Sequence, residues 1–192
     1  MPHFTNSVLP AGNMSVPKAR LRLDWIYGYR GHQCRNNVQY LDSGEVVYFV
    51  AAAGIVYDPA NKTQRHFIEH TDDIISLAVH PDLKIVATGE IGSSPLTYIW
   101  DSETLAILSV LSGHHSAGIT ALDFSSSGNL LGTIDLAPNS TFCLYDWRKG
   151  KLLASHTMTT ERVFDIKFKP GLRIFVAVLL LFSINNLLEI FL

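Results

Sequence analysis

Apolar and polar residues alternate in short runs along the middle of the chain. Ile75, Leu77 and Val79 alternate with polar or small residues in the run DIISLAVHP, and the run GITALDFSS nearly repeats this pattern further along. An apolar residue at every second position is typical of a strand with one face in the core. Both runs are therefore predicted to be half-buried strands.

The spacing of these runs indicates an internal repeat of about 44 residues. His70 precedes the first run, and His114 precedes the second, 44 positions later. Each copy continues with a turn and a second strand, KIVATGE in the first copy and NLLGTID in the second. A third strand follows, which ends in YIWD or LYDW, and then a short fourth strand. The run VFDIKFKP begins a third copy. Four short strands per repeat are typical of WD40-type β-propeller blades. We predict an all-β fold with about two and a half such blades.

A hydrogen-bonded network is expected to fix the strand register inside each blade. It would join a His before the first strand, a Thr on the second strand, an Asp in the next turn and the aromatic residue of the third strand. The candidates in the first copy are His70, Thr88 and Trp100, together with Asp101, which ends the third strand. In the second copy they are His114, Thr133, Asp135 and Tyr145, together with Asp146, which ends the third strand. The turn Asp is missing from the first copy, where IGSSPL intervenes.

Two other apolar segments need an interpretation. The run from Val46 to Tyr57 has twelve residues, fewer than the roughly 20 that span a bilayer, so we predict a buried strand. The earlier segment LRLDWIY is also interpreted as a strand, and Gly28 and Gly31 after it would permit a tight turn.

The segment from Leu172 to the last residue is 21 residues long and mostly apolar. Polar residues, an arginine, two asparagines and a glutamate, interrupt this segment. The uninterrupted apolar stretch has only eleven residues, from Ile174 to Ile184, which is short for a membrane span. Three interpretations stay open: an alternative or mispredicted terminus, a membrane anchor, or a strand that completes the third blade. We favour the first, because the repeat pattern stops and the composition changes at KPG.

Composition and charge exclude some classes of protein. A chain of 192 residues with 47% hydrophobic residues is not a disordered polar tract, and a net charge of −2 argues against a general nucleic-acid binder. The charge is uneven: five basic residues lie between 18 and 35 and seven between 148 and 173, whereas thirteen acidic residues lie between 42 and 146. These are either ordinary solvated faces or a surface for an acidic partner.

The chain offers little sign of catalytic or metal chemistry. Two cysteines are too few for a disulfide scaffold or a zinc site, and they suit a reducing compartment. The group that most resembles a metal or catalytic cluster consists of His66, His70, Asp72, Asp73 and Ser76. His70 already has a structural place in the repeat, and no nucleophile motif surrounds Ser76. We expect no enzyme activity, no metal and no cofactor.

Residues 21–57 carry a sequence motif that is more specific to one protein family than a WD40 repeat is. They resemble the HELP motif (hydrophobic motif in echinoderm microtubule-associated protein-like proteins), in which a WVYGYRG-like stretch leads to an apolar strand pair. The matching residues are Trp25, Tyr27, Gly28, Tyr29, Arg30 and Gly31, followed by residues 46–50. The segments QRHFIEHTDDIISLAVHPDLKIVATGEIG and CLYDWRKGKLLAS are similar to the first blades of that family, so the resemblance covers about residues 20 to 170.

This resemblance implies a cytoplasmic, non-enzymatic protein that binds microtubules through tubulin. It also implies that the hydrophobic HELP motif belongs to a folded propeller and does not enter a membrane. The first twenty residues carry no heptad pattern, so we expect no coiled-coil oligomerisation. Hypothetical tubulin contacts are Arg30, Arg35, Arg148, Lys149 and Lys151. The alternative function is a general WD40 scaffold for a partner other than tubulin.

The chain is accordingly divided into six parts. These are a disordered segment (1–20), the HELP motif (21–68), WD40 repeat 1 (69–112), WD40 repeat 2 (113–155), a partial WD40 repeat 3 (156–171) and a divergent apolar tail (172–192). A propeller typically needs four to eight blades to hide its strand edges. The chain is therefore expected to be a truncated form of a longer propeller.

Overall fold

A computed structural model describes residues 21–31, 34–136, 138, 140–159, 163–168, 175–180 and 187–191. Within these ranges the chain forms three four-stranded sheets and one three-stranded sheet, and each sheet is antiparallel with its strands in sequence order. The predicted all-β architecture of propeller-type blades is confirmed. The segment 1–20, predicted to be disordered, lies outside the described residues.

Sheet 1 contains β1 (Val38–Tyr40), β2 (Val46–Val50), β3 (Ala53–Asp58) and β4 (Thr63–Phe67). Sheet 2 contains β5 (Ile74–Val79), β6 (Ile85–Glu90), β7 (Thr97–Asp101) and β8 (Ile107–Leu111). Sheet 3 contains β9 (Ile119–Phe124), β10 (Leu130–Asp135), β11 (Ser140–Asp146) and β12 (Lys151–Thr159), with a short 3-10 turn, Trp147–Lys149, before β12. Sheet 4 contains β13 (Val163–Phe168), β14 (Phe175–Leu180) and β15 (Leu187–Phe191).

Sheet 1 corrects two predictions. The run from Val46 to Tyr57 is a hairpin of two strands, because the chain reverses at Ala51, which adopts a φ of +48°. Residues 21–31 form no strand, so the prediction for LRLDWIY is wrong. Instead they cross the face of sheet 1 that points away from sheet 2, and we call them the strap.

Neighbouring sheets pack face to face, and their shared cores bury the largest side chains. Phe49 and Phe67 of sheet 1 pack with Trp100 of sheet 2, and Ile99 of sheet 2 packs with Leu122 of sheet 3. The prediction of half-buried strands is therefore wrong for β5, where all residues from 74 to 78 are buried. Sheets cover both of its faces, so even the small and polar positions between the large apolar ones are inaccessible.

The two ends of the sheets have different connections. The turns that join first to second and third to fourth strands lie at one end, which we call the hairpin end. There the backbone N–H of Asp42 donates to the carbonyl of Leu83 at 3.0 Å, joining sheets 1 and 2. At the opposite end, which we call the loop end, the N–H of Gly92 donates to the carbonyl of Ala117 at 3.2 Å, joining sheets 2 and 3.

The apolar segment near the end of the sequence contributes β14 and β15, which continue the sheet that β13 begins. Among the described residues, no helix has the length and apolar character needed to cross a membrane.

Candidate functional site

In sheet 2 the structure brings together the three predicted network residues. The indole N–H of Trp100 donates to the hydroxyl oxygen of Thr88 at 3.1 Å, and that oxygen lies 2.7 Å from Nε2 of His70. Nδ1 of His70 lies 2.8 Å from the carboxylate of Glu90. A neutral imidazole satisfies every contact, because it accepts from Thr88 and donates to Glu90. Burial lowers the pKa of His70, which favours this neutral form.

Glu90 was not among the predicted residues, yet it fills the place of the missing turn acid. Its carboxylate accepts from the N–H groups of Thr71 and Leu96, each at 3.2 Å, and the residue is only 2% exposed. It therefore holds the loop before β5 against the connection after β6. Its position two residues after Thr88 matches that of Asp135 after Thr133 and could have identified it.

In sheet 3 the corresponding histidine is His115, which corrects the prediction of His114. His115 Nε2 lies 2.6 Å from the hydroxyl of Thr133. His114 is exposed, and its ring touches that of Tyr145 with 5.7 Å between ring centroids. The structural repeat from sheet 2 to sheet 3 is 45 residues, so His70 corresponds to His115.

Asp135 occupies its predicted place at the end of β10. Its carboxylate accepts from the N–H of Ser116 at 2.9 Å and from those of Ala117 and Gly118 at 3.2 Å. Three donors on one carboxylate fix the loop that leads into β9, as Glu90 does before β5.

The fold should lose stability in acid through His115. Burial lowers its pKa to about 4 from an ordinary value of about 6.5. The unfolded chain therefore binds a proton that the folded chain resists, so the free energy of unfolding should fall between pH 6.5 and 4, by about 3 kcal/mol from this group. Urea unfolding across this range should show a clearly smaller fall for His115→Gln.

His114→Gln is the matched control, since His114 is the exposed neighbour. It should retain the acid dependence of the unaltered chain. Identical pH profiles for His115→Gln and the unaltered chain would contradict the prediction.

The aspartates that end the third strands organise turns at the hairpin end. Asp101 accepts from the N–H and hydroxyl of Thr104, at 2.7 and 2.8 Å. Asp146 caps the 3-10 turn, and its carboxylate lies 2.9 Å from Nζ of Lys149. Both aspartates therefore stabilise the turn into the fourth strand.

The HELP-like residues form the strap over sheet 1. Trp25 packs edge-on against Tyr57, with 5.9 Å between the rings. The backbone of Ile26 exchanges two hydrogen bonds with the side-chain amide of Gln64, at 2.9 and 3.2 Å. Gly28 has a φ of +115°, a conformation that side chains other than glycine rarely adopt.

Beyond this glycine the strap reaches sheet 2. Tyr29 donates its hydroxyl to the side chain of Asn37 at 2.6 Å, and Asn37 donates to the carbonyl of Arg30. The guanidinium of Arg30 lies 3.1 Å from the carboxylate of Asp73 at the loop end. Tyr27 is 85% exposed and Gly31 is exposed, so these two residues contribute less to the anchoring.

Comparison with known proteins identifies this arrangement. Residues 63–177 match the family model of the echinoderm microtubule-associated protein first β-propeller, and residues 16–55 match that of the HELP motif. The chain belongs to the echinoderm microtubule-associated protein family. The resemblance noted from the sequence is thereby confirmed, and the described part of the HELP match includes the strap, β1, β2 and the start of β3.

Curated members of the echinoderm microtubule-associated protein family show the same relationship. The chain is 39% identical to Echinoderm microtubule-associated protein-like 2 of Rattus norvegicus over 166 residues, which are 81% of this chain and 26% of that protein. It is 38% identical to Echinoderm microtubule-associated protein-like 1 of Homo sapiens over 168 residues, 82% of this chain and 21% of that protein. The chain thus spans about a quarter or less of the length of these relatives.

The five basic residues suggested as tubulin contacts in this family member do not form one surface. Arg30 is paired with Asp73, and its side chain is 20% exposed. Arg148, Lys149 and Lys151 are exposed together around the turn between β11 and β12, at the hairpin end. Arg30 lies at the loop end, and the length of a six-residue strand, roughly 20 Å, separates that end from the hairpin end. Arg35 is exposed after the strap.

Proposed function

We propose that this chain is a non-enzymatic scaffold that binds microtubules through tubulin, and that the turn between β11 and β12 makes the contact. Membership of the family supports the general proposal, since its curated relatives are named as microtubule-associated. The observation that carries the finer proposal is the group of three exposed basic residues, Arg148, Lys149 and Lys151, within four positions.

Contacts within the chain hold Arg148 of this turn in place. The Arg148 guanidinium lies 4.3 Å from the centre of the Trp147 ring and donates to the carbonyl of Gly128 at 3.0 Å and to the side chain of Asn129 at 3.2 Å. A cation held in place loses little side-chain entropy on binding, which favours contact with an acidic protein surface. Arg30 is paired with Asp73 and its side chain is only 20% exposed, so we leave it out of the proposed contact. Lys149 is kept because its side chain is 75% exposed, although it is paired with Asp146.

A charge-reversal experiment tests the proposed contact. The variant Lys151→Glu should weaken co-sedimentation with microtubules about three- to tenfold at low salt, and the difference should shrink as salt screens the charges. Lys62→Glu is the matched control, because Lys62 is an exposed lysine in a turn of sheet 1 at the same end. That variant should sediment like the unaltered chain.

Two outcomes would point elsewhere. Equal sedimentation of both variants and the unaltered chain would remove the β11–β12 turn from the contact. Failure of the unaltered chain to sediment with microtubules would instead favour a general WD40 scaffold with another partner.

A further inference from the structure

A polar cleft opens at the hairpin end between sheets 1 and 2. It has a volume of about 390 Å³, within the range of sites that hold small ligands. Its walls include Glu45 and Arg65 from sheet 1 and Lys84, Ser102 and Glu103 from the turns of sheet 2. Sheets 1 and 2 therefore meet around an open space at this end.

The next junction, between sheets 2 and 3, shows what fills the equivalent space. At the structural step of 45 residues, Ser102 corresponds to Trp147 and Glu103 corresponds to Arg148. Trp147 is 3% exposed, its indole N–H donates to the carbonyl of Gly128 at 2.8 Å, and the guanidinium of Arg148 lies over its ring. At the junction of sheets 2 and 3 the chain thus supplies its own aromatic ring and guanidinium. At the junction of sheets 1 and 2 the corresponding residues supply a small hydroxyl and a carboxylate.

The charges around the cleft favour a cation. The guanidinium of Arg65 is held by both carboxylate oxygens of Glu45, at 2.6 and 3.0 Å, and by the carbonyl of Ser102 at 3.0 Å. It is therefore already neutralised. Lys84 lies 3.9 Å from Asp42, and both side chains are more than 60% exposed, so this pair compensates little charge.

Carboxylates outnumber basic groups around the cleft. The four carboxylates are those of Asp42, Glu45, Asp101 and Glu103, against Arg65 and Lys84. Hydrogen bonds from Arg65 lower the pKa of Glu45, which keeps it ionised at neutral pH. Glu103 lies on the rim of the cleft, at the position that Arg148 occupies at the junction of sheets 2 and 3. The excess negative charge therefore lies where the neighbouring junction has a guanidinium.

We propose that this cleft receives an arginine side chain from a partner protein. An arginine is favoured over a lysine because its planar guanidinium can pair with the Glu103 carboxylate through two parallel hydrogen bonds, and its stem can fill the space that an aromatic ring fills between sheets 2 and 3. The partner is distinct from the acidic surface proposed for the β11–β12 turn, so the cleft extends the interactions of the chain beyond that contact.

The probe for this site is the peptide acetyl-Gly-Gly-Arg-Gly-Gly-amide, titrated up to about 10 mM into the full chain and followed by NMR. The same peptide with citrulline, which has a neutral group of similar shape, tests the role of charge. The arginine peptide should shift the amide resonances of Ser102 and Glu103, and the citrulline peptide should bind at least fivefold more weakly.

Two cleft variants and a control locate the binding. Glu103→Gln should weaken binding at least threefold, and Ser102→Trp should abolish it by filling the cleft as Trp147 fills the next junction. Glu69→Gln, which neutralises an exposed carboxylate at the loop end, should bind like the unaltered chain. The proposal is overturned if the arginine peptide does not bind, if citrulline binds equally well, or if Glu103→Gln binds normally.

Discussion

Trp100→Ala is expected to lower the free energy of unfolding by about 3–5 kcal/mol, the usual cost of truncating a buried aromatic residue. The Trp100 side chain is fully buried, and its ring stacks on that of Phe67 at 4.6 Å with an interplanar angle of 3°. Alanine would open a cavity between sheets 1 and 2 and leave the hydroxyl of Thr88 without the indole donor. Urea unfolding followed by circular dichroism would measure the loss.

Trp100→Phe separates packing from hydrogen bonding. It retains an aromatic ring against Phe67 but cannot donate to Thr88, so it should cost about 1–3 kcal/mol. Thr88→Val removes the hydroxyl while keeping the side-chain shape, and the two substitutions should be less than additive because they remove the same hydrogen bond. A Trp100→Ala variant within 1 kcal/mol of the unaltered chain would show that sheets 1 and 2 do not depend on this contact.

The sequence was sufficient to predict the network of sheet 2 because its parts are chemically distinctive. A His, a Thr and a Trp-Asp pair at the spacing of a blade point to one arrangement, and the structure joins His70, Thr88 and Trp100 as expected. In sheet 3 two histidines, His114 and His115, are adjacent in the sequence. The assumed period of 44 residues led to the prediction of His114 in place of His115. The steps from Thr88 to Thr133 and from Trp100 to Tyr145 are both 45, so internal consistency alone could have identified His115.

Other features could not be predicted from the sequence pattern. Sheet 1 has no Trp-Asp pair, and its histidine, His66, lies in the fourth strand, so its four strands were attributed to a motif and not counted as a blade. The strap depends on contacts between residues far apart in sequence, such as Ile26 with Gln64 and Arg30 with Asp73. The full burial of β5 arises from packing between sheets, which an alternating pattern along one strand does not report.

Gly128→Ala is expected to lower the free energy of unfolding by about 2–5 kcal/mol, the sum of a backbone cost of about 1–2 kcal/mol and a packing cost of about 1–3 kcal/mol. Gly128 has a φ of +71°, and a Cβ there would lie 2.6 Å from Cε1 of His80 and closer still to Nε2. His80 cannot easily move away, since it is buried and holds the Gly128 carbonyl at 3.0 Å. The same carbonyl accepts from Trp147 and Arg148, so the substitution should loosen the junction of sheets 2 and 3.

Gly150→Ala isolates the backbone contribution to that loss. Gly150 has a φ of +61°, and a Cβ there would meet nothing within 4 Å, so only the left-handed conformation should cost energy, about 1–2 kcal/mol. In a His80→Ala background the cost of Gly128→Ala should fall towards that of Gly150→Ala, because the obstructing imidazole is gone. Equal losses for Gly128→Ala and Gly150→Ala in the unaltered background would mean that the imidazole yields freely and that the turn of sheet 3 is not clamped by His80.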